Sequence, residues 1–436
     1  MSSPQHAWKV NFLNAGTPFA LKGNIIWSRS AIELASVRQG YIICENGAVT
    51  GVFNNLPERF NGMEVTDYGD KIVIPGLVDL HVHAPQYTYR GLGMDLELLP
   101  WLETYAFREE ANYADAAYAG RAYGDFCTAL KKSATTHASV FATLHTDATV
   151  LLMDLLEETG LHVFAGKVNM DRNSPAALTQ PTAEAIADTE AWLKNTRGKY
   201  KRVKPILTPR FVPTCTDALL SALGRMASEY RIPVQSHLSE NKAEIAWVKQ
   251  LHPDCETYAG VYDKYGLFGR GVPTVMAHCV YPEERELDLI RENGVFVAHC
   301  PGSNTNISSG IAPVRKMLER GLNIGLGTDV AGGFSLSVFR AVSDAVQVSK
   351  LYSVLVDGTA KPLTLPEAFY LATKGGGAFW GKVGSFEPGY GLSAVILDDT
   401  FNAGYDLSPE QRLERIVYLS DDSHIAAKYV DGVRIL

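Results

Sequence analysis

No two cysteines of this 436-residue chain stand at the Cys-x-x-Cys spacing, and no apolar run approaches the roughly 20 residues needed to span a membrane. The six cysteines, Cys44, Cys127, Cys215, Cys255, Cys279 and Cys300, are scattered. That distribution argues against a disulfide framework and suits a reducing compartment. Excess positive charge is absent too: 40 Lys and Arg face 48 Asp and Glu, for a net charge of −8. Nucleic-acid binding needs clustered Lys and Arg against phosphate, so such a partner is disfavoured. The first residues, Met1-Ser2-Ser3-Pro4-Gln5-His6, show no charged segment followed by an apolar stretch. No membrane partner and cytoplasmic residence are the expectations. Low-complexity segments and internal repeats are also missing.

What remains is an ordinary globular composition, 46% hydrophobic and 20% charged. Residues before about 75 read as β-rich. Tyr41-Ile42-Ile43-Cys44, a turn at Glu45-Asn46-Gly47 and Ala48-Val49-Thr50-Gly51-Val52-Phe53 predict a hairpin. The last fifty residues read the same way, with a short strand at Ala394-Val395-Ile396-Leu397 and a hairpin over 429–436 turning at Asp431-Gly432. Neither end has enough strand to bury a core alone, so both are expected to fold together. Between them, short apolar strands near 77–83, 134–140, 162–168, 203–209, 233–237, 273–278, 294–299 and 322–328 alternate with helical stretches such as 116–131 and 183–193. That alternation implies parallel βαβ units. The expected fold is therefore α/β: a (β/α)8 TIM-like barrel over residues 75–384, with a small composite β-sandwich built from residues 1–74 and 385–436.

In Asp79-Leu80-His81-Val82-His83, which ends the apolar run from Ile72, strand alternation puts His81 and His83 on one face. Two imidazoles there can grip one metal ion. His237, His278 and Asp329 each end a later apolar run, on strands 5, 6 and 8. In a parallel barrel the C-terminal strand ends form the active face. All five residues fall on that rim, which points to a metal site rather than five unrelated polar residues.

The pattern Pro75-Gly76-Leu77-Val78-Asp79-x-His81-x-His83, then His237, His278 and Gly327-Thr328-Asp329, resembles the amidohydrolase superfamily. Several segments are similar to its guanine-deaminating branch: His83-Ala84-Pro85-Gln86-Tyr87, Phe141-Ala142-Thr143-x-His145-Thr146-Asp147, Thr208-Pro209-Arg210-Phe211, His237-Leu238-Ser239-Glu240-Asn241 and Gly327-Thr328-Asp329-Val330-Ala331-Gly332-Gly333. The resemblance covers nearly the whole chain. It implies a barrel plus composite sandwich, one Zn2+ per chain, a homodimer, and hydrolysis of guanine to xanthine and ammonia in purine catabolism or salvage.

On that resemblance, His81, His83, His237 and Asp329 are the metal ligands. Imidazole and carboxylate suit zinc, although iron tolerates the same set. The resemblance also sets His278 beside the attacking water, and Asp329 can accept a proton early. Binuclear relatives use a lysine at the end of strand 4. Here that strand ends in Thr208-Pro209-Arg210, and Lys167 lies on strand 3, so one metal is expected. Glu240, three residues after His237, is the candidate proton shuttle; otherwise it merely caps the following helix, where Ser239 and Asn241 also favour a start.

Arg210, on the rim, matches the O6 and N7 acceptors of guanine in fork geometry; the plainer reading pairs it with a neighbouring carboxylate. Gln86 offers a donor and an acceptor. Phe211 and Trp101 are candidates to sandwich the ring, and His237, Glu240 and Asp329 complete the substrate-facing set. Of the remaining histidines, His299 reads as support behind the site and His145 as pocket lining. His6, His137, His162, His252 and His424 read as surface or core. The competing functions are a related amidohydrolase deaminating or dechlorinating another heterocycle, and a catalytically dead scaffold. Arg210, Phe211 and Gln86 favour guanine over the first; the complete ligand set plus Glu240 argues against the second.

Overall fold

The structure, a computed structural model, describes residues 16–436, so His6 and the rest of the first fifteen lie outside it. Four strands open the chain: β1 (Phe19–Ser28), β2 (Leu34–Glu45), β3 (Ala48–Phe53) and β4 (Glu64–Pro75). The barrel strands follow: β5 (Leu77–His83), β6 (Thr135–Phe141), β7 (His162–Gly166), β8 (Val168–Asn169), β9 (Val203–Pro205), β10 (Thr208–Pro209), β11 (Val234–Leu238), β12 (Thr274–His278), β13 (Phe296–His299) and β14 (Asn323–Leu326). The last are β15 (Ala394–Leu397), β16 (Ile425–Val430) and β17 (Val433–Arg434).

Two parallel arcs, β5-β6-β7-β9 and β11-β12-β13-β14, form the barrel. Short β8 and β10 prolong its third and fourth strands and pair with each other. A parallel bridge from Leu207 to Val234 joins the arcs on one side. On the other, Asp329 N donates to His81 O at 2.8 Å and His83 N to Val330 O at 3.1 Å. All eight expected strands are therefore present. They are near-continuous apolar runs because both faces are covered, helices outside and side chains within. Every residue of β5 is buried. The surrounding helices show the complementary pattern. Asp115 caps the helix Ala116–Lys132 by accepting from Ala117 N and Tyr118 N, and Ala119, Tyr123, Phe126 and Leu130 form its buried stripe.

Val78, Leu80, Ile206, Val275, Ala277 and Ala298 pack with Phe379, Trp380 and Val383 into one apolar cluster inside the barrel. Gly325 is required beside this plug, because a Cβ there would lie 2.5 Å from Leu80 Cδ1 and 2.7 Å from Gly376 Cα. An interior filled in this way leaves only the C-terminal ends of the strands for polar chemistry.

The two chain ends meet in a single sheet of order β17-β16-β15-β4-β1-β2-β3. Both expected hairpins are there, turning at Asn46-Gly47 and Asp431-Gly432 with all four residues in the left-handed region, as a two-residue turn demands. The expected sandwich differs in detail: one continuous sheet curls on itself instead of two sheets stacking. Ile42 and Cys44 of β2 share a core with Ala427 and Tyr429 of β16, four strands away. The Tyr68 and Tyr429 hydroxyls meet at 2.7 Å. Register shifts in β1 between Gly23 and Ile25 supply a local bend of the kind such curling needs.

The C-terminal region is also less β-rich than expected. The helix Pro409–Leu419 lies between β15 and β16, started by a capping box of Ser408 with Gln411 and burying Leu413, Ile416 and Val417.

Lys428 of β16 anchors the sheet to the barrel. It is fully buried, and its Nζ donates to Ser133 O at 2.7 Å and Thr135 O at 3.0 Å. Nearby, Ala134 N donates to Asp422 Oδ1 at 3.1 Å, and His162 Nε2 meets Asp431 Oδ2 at 2.6 Å. Lys428→Ala removes the donor from buried carbonyls and leaves a cavity, so a loss of about 2–4 kcal/mol is expected. Urea unfolding checks this prediction; an unchanged midpoint would show that the anchor contributes nothing. Among the described residues, no helix is long and apolar enough to cross a membrane.

Candidate active site

At the barrel mouth His81, His83 and His237 turn their Nε2 atoms toward one point. His83 Nε2 lies 3.2 Å from both His81 Nε2 and His237 Nε2. Asp329 Oδ1 lies 3.1 Å from His81 Nε2 and 3.4 Å from His83 Nε2. His237 donates its Nδ1 proton to Arg210 O at 2.6 Å, which leaves Nε2 as a bare lone pair. Burial holds His81 below its usual pKa, and His83 and His237 well below. Burial opposes ionisation of Asp329, but the His81, His278 and His83 imidazoles outweigh it and hold that carboxyl far below the usual range.

Neutral imidazoles with converging acceptor atoms repel one another unless a cation lies among them. Ligand atoms bonded to one ion at about 2.0–2.2 Å lie roughly 3 Å from their neighbours. The four separations above fall in that range, so His81, His83, His237 and Asp329 fit a zinc-sized ion with a further position left for water. Asp79 fixes the frame. Its Oδ1 accepts from Thr328 N at 3.0 Å and His81 N at 3.2 Å, and its Oδ2 from Thr328 Oγ1 at 2.5 Å, locking the first strand against the loop that carries Asp329. Ser239, His278, Cys279 and Asp329 all have left-handed backbones. Non-glycine residues held that way cost about 1–3 kcal/mol each and persist where the surroundings over-determine them.

His278 completes the polar wall. Its Nδ1 donates to Asn304 Oδ1 at 2.9 Å, turning Nε2 toward Glu240 Oε2 at 3.4 Å and Asp329 Oδ2 at 3.8 Å. Glu240 is not the helix cap. That role falls to Asn241, which accepts from Ala243 N, with Glu244 closing the box. Glu244 also accepts from Glu240 N at 2.9 Å and from the Tyr258 hydroxyl at 2.7 Å, which holds the Ser239–Asn241 turn in place. The Glu240 carboxyl is thereby left free, touched by Ser309 Oγ at 3.0 Å. Burial, reinforced by the Asp329 carboxylate, pushes Glu240 up to about 8, the range in which a group both takes and gives protons near neutrality.

A pocket above these groups is lined by His83, Gln86, Trp101, Arg210, Phe211, His237, Glu240, His278 and Asp329, closed by Leu98, Leu102, Ile307 and Glu244. Every substrate-facing candidate from the sequence lines it. Arg210 is also paired: its Nη1 meets Glu110 Oε2, and both side chains are buried. Glu110, absent from the expected set, accepts from Gln86 Nε2 at 2.9 Å as well, while Gln86 Oε1 accepts from Ala331 N at 3.1 Å. Trp101 donates Nε1 to Leu92 O at 3.2 Å and packs on Tyr89. His145 does not line the pocket and binds Thr143 Oγ1 at 3.1 Å instead. His299 is buried near His278 with neither ring nitrogen partnered among the described residues, and burial lowers it to about 3. Lys167 Nζ reaches Gln180 Oε1 at 3.4 Å.

The barrel, the His-x-His pair on its first strand and the Asp after its last define a class of metal-dependent hydrolases. The amidohydrolase family model matches residues 72–435, and the chain belongs to that family. Within it the chain groups with the guanine deaminases. It is 39% identical to the guanine deaminase of Dictyostelium discoideum, over 85% of this chain and 84% of that one. It is 34% identical to that of Escherichia coli strain K12, over 92% of each. The crystal structure of guanine deaminase from C. acetobutylicum with bound guanine superposes with a TM-score of 0.94 at 44% identity, covering 96% of this chain and all of that one.

Proposed function

We propose that this chain hydrolyses guanine to xanthine and ammonia with one zinc ion per chain. The observation that carries the reading is a single pocket in which a converging His-His-His-Asp set faces Glu240 and the Arg210–Gln86 pair, in a chain grouped with guanine deaminases. A divalent cation held by His81, His83, His237 and Asp329 supplies water acidic enough to attack near neutral pH, its pKa lowered from about 15.7 to about 7.

The remaining steps belong to the side chains. Phe211 and Trp101 bound the slot in which a flat ring fits. Arg210 and Gln86 orient the purine so that C2 faces the attacking oxygen. Asp329 takes one proton of the attacking water as its oxygen bonds to C2, and that proton passes through Glu240 to the neighbouring ring nitrogen. His278 Nε2 stands beside the tetrahedral carbon that results. Glu240 then takes the remaining proton from the C2 hydroxyl and delivers it to the amino group. The C2–N bond breaks, ammonia leaves, and C2 becomes the new carbonyl of xanthine. One carboxyl serves both transfers because it can accept a proton in one step and return it in the next.

Substrate choice falls to Arg210. Arg210→Met should lower kcat/KM for guanine about 10- to 150-fold, the equivalent of one charge-assisted hydrogen bond of about 1.5–3 kcal/mol, with metal content unchanged. Adenine carries an amino group where guanine carries O6, so the wild type should reject it strongly. Steady-state kinetics on both purines with both proteins tests the reading. Equal guanine efficiency in the two proteins removes Arg210 from binding, and adenine accepted as readily as guanine reopens the substrate.

A further inference from the structure

Among the described residues Arg210 is the only lysine or arginine that lines the pocket, and a lone guanidinium in a closed site favours anions. Guanine is neutral at neutral pH. Glu110 removes the mismatch. It lies on the short helix Phe107–Ala111, far in sequence from Arg210, and is 1% exposed. One carboxylate oxygen pairs with Arg210 Nη1 and the other accepts from Gln86 Nε2 at 2.9 Å. Gln86 Oε1 is already engaged by Ala331 N at 3.1 Å, so its amide cannot turn over without losing both contacts. Phe107, on the same helix, packs its ring 5.1 Å from the Arg210 guanidinium carbon. The remaining guanidinium N–H groups have no acceptor among the described residues.

We propose that Glu110 sets the charge preference of the pocket: it cancels the Arg210 charge and fixes Arg210 and Gln86 together, so the site takes neutral purines and rejects anionic ones. This rests on the guanine reading above. Glu110 is a positioning residue that acts through Arg210 and Gln86. A simple salt bridge for stability would not account for one carboxylate holding both purine-facing side chains of the pocket. A buried pair of this kind contributes little net stability, whereas removing one partner leaves an uncompensated charge.

The test compares zinc-loaded wild type, Glu110→Gln, and Glu110→Gln combined with Arg210→Met. The readouts are guanine kinetics and inhibition by two oxopurines at pH 7, neutral hypoxanthine and anionic urate. Glu110→Gln should raise KM for guanine about 10-fold or more while kcat falls less than about 3-fold. The ratio of its hypoxanthine to urate inhibition constants should shift toward urate by about 10-fold or more. The double variant, with neither charge, should lose that preference for urate. Should Glu110→Gln fail to fold, Glu110→Asp keeps the charge and shortens the reach: KM should rise with no gain for urate. An unchanged inhibition ratio in Glu110→Gln, or an unchanged KM in Glu110→Asp, overturns the proposal. Wild type that does not turn over guanine fails the underlying reading instead, so the two failures are distinct.

Discussion

Replacing Glu240 by glutamine is expected to lower kcat by about 10²–10⁴-fold, with metal content unchanged. The amide keeps the size of the carboxyl and can still meet Ser309 Oγ, which donates to Oε1 at 3.0 Å. It cannot carry a proton. The surrounding loop should survive the change, because its anchors are elsewhere: Glu244 accepts from Glu240 N and Asn241 N, and Ser239 Oγ donates to Glu286 Oε2 at 2.8 Å. Loss of rate with normal folding is therefore a loss of proton transfer. Elemental analysis alongside kcat separates the cases. Near-normal turnover with metal retained would reduce Glu240 to a wall of the pocket.

Removal of the metal should have the larger effect. Three buried neutral imidazoles and one ionised carboxylate converge at separations of 3.1 to 3.4 Å, an arrangement without a purpose unless a cation holds it. Prolonged chelation should abolish turnover, by about 10⁴-fold or more, since the attacking water then returns to a pKa of about 15.7. One equivalent of zinc per chain should restore it. A requirement for two equivalents would contradict the single-ion account, in which strand 4 ends in Thr208-Pro209-Arg210 with no bridging lysine. Full activity in exhaustively chelated protein would contradict a metal role of any kind.

Much of this was legible in the sequence for one physical reason. Buried parallel strands are apolar runs, and the first polar residue after each run falls on the catalytic rim. His81, His83, His237, His278 and Asp329 announce themselves that way. Arg210 does too, and the structure brings the two readings of it together, since it both lines the pocket and pairs with a carboxylate. The supporting residues left no such trace. Glu110 sits in the run of short helices between β5 and the helix Ala116–Lys132, a hundred positions from Arg210, and nothing local marks it. Ser309 and Asn304 follow β13 and act on residues of other strands. Asp79 was visible within the motif, but its bonds to Thr328 are long-range and appear only when the barrel closes. The helix Pro409–Leu419 is different: Ser408-Pro409-Glu410-Gln411 is a readable capping box, outweighed by the strands on either side.

The central claim is hydrolytic removal of the guanine amino group. Its most direct test is to incubate the zinc-loaded protein with guanine in water enriched in ¹⁸O, and to follow the purine by mass spectrometry and ammonia by assay. The account predicts xanthine carrying a single heavy oxygen at C2, with ammonia released in equal amount. Guanine recovered unchanged, or xanthine without the label, would contradict it.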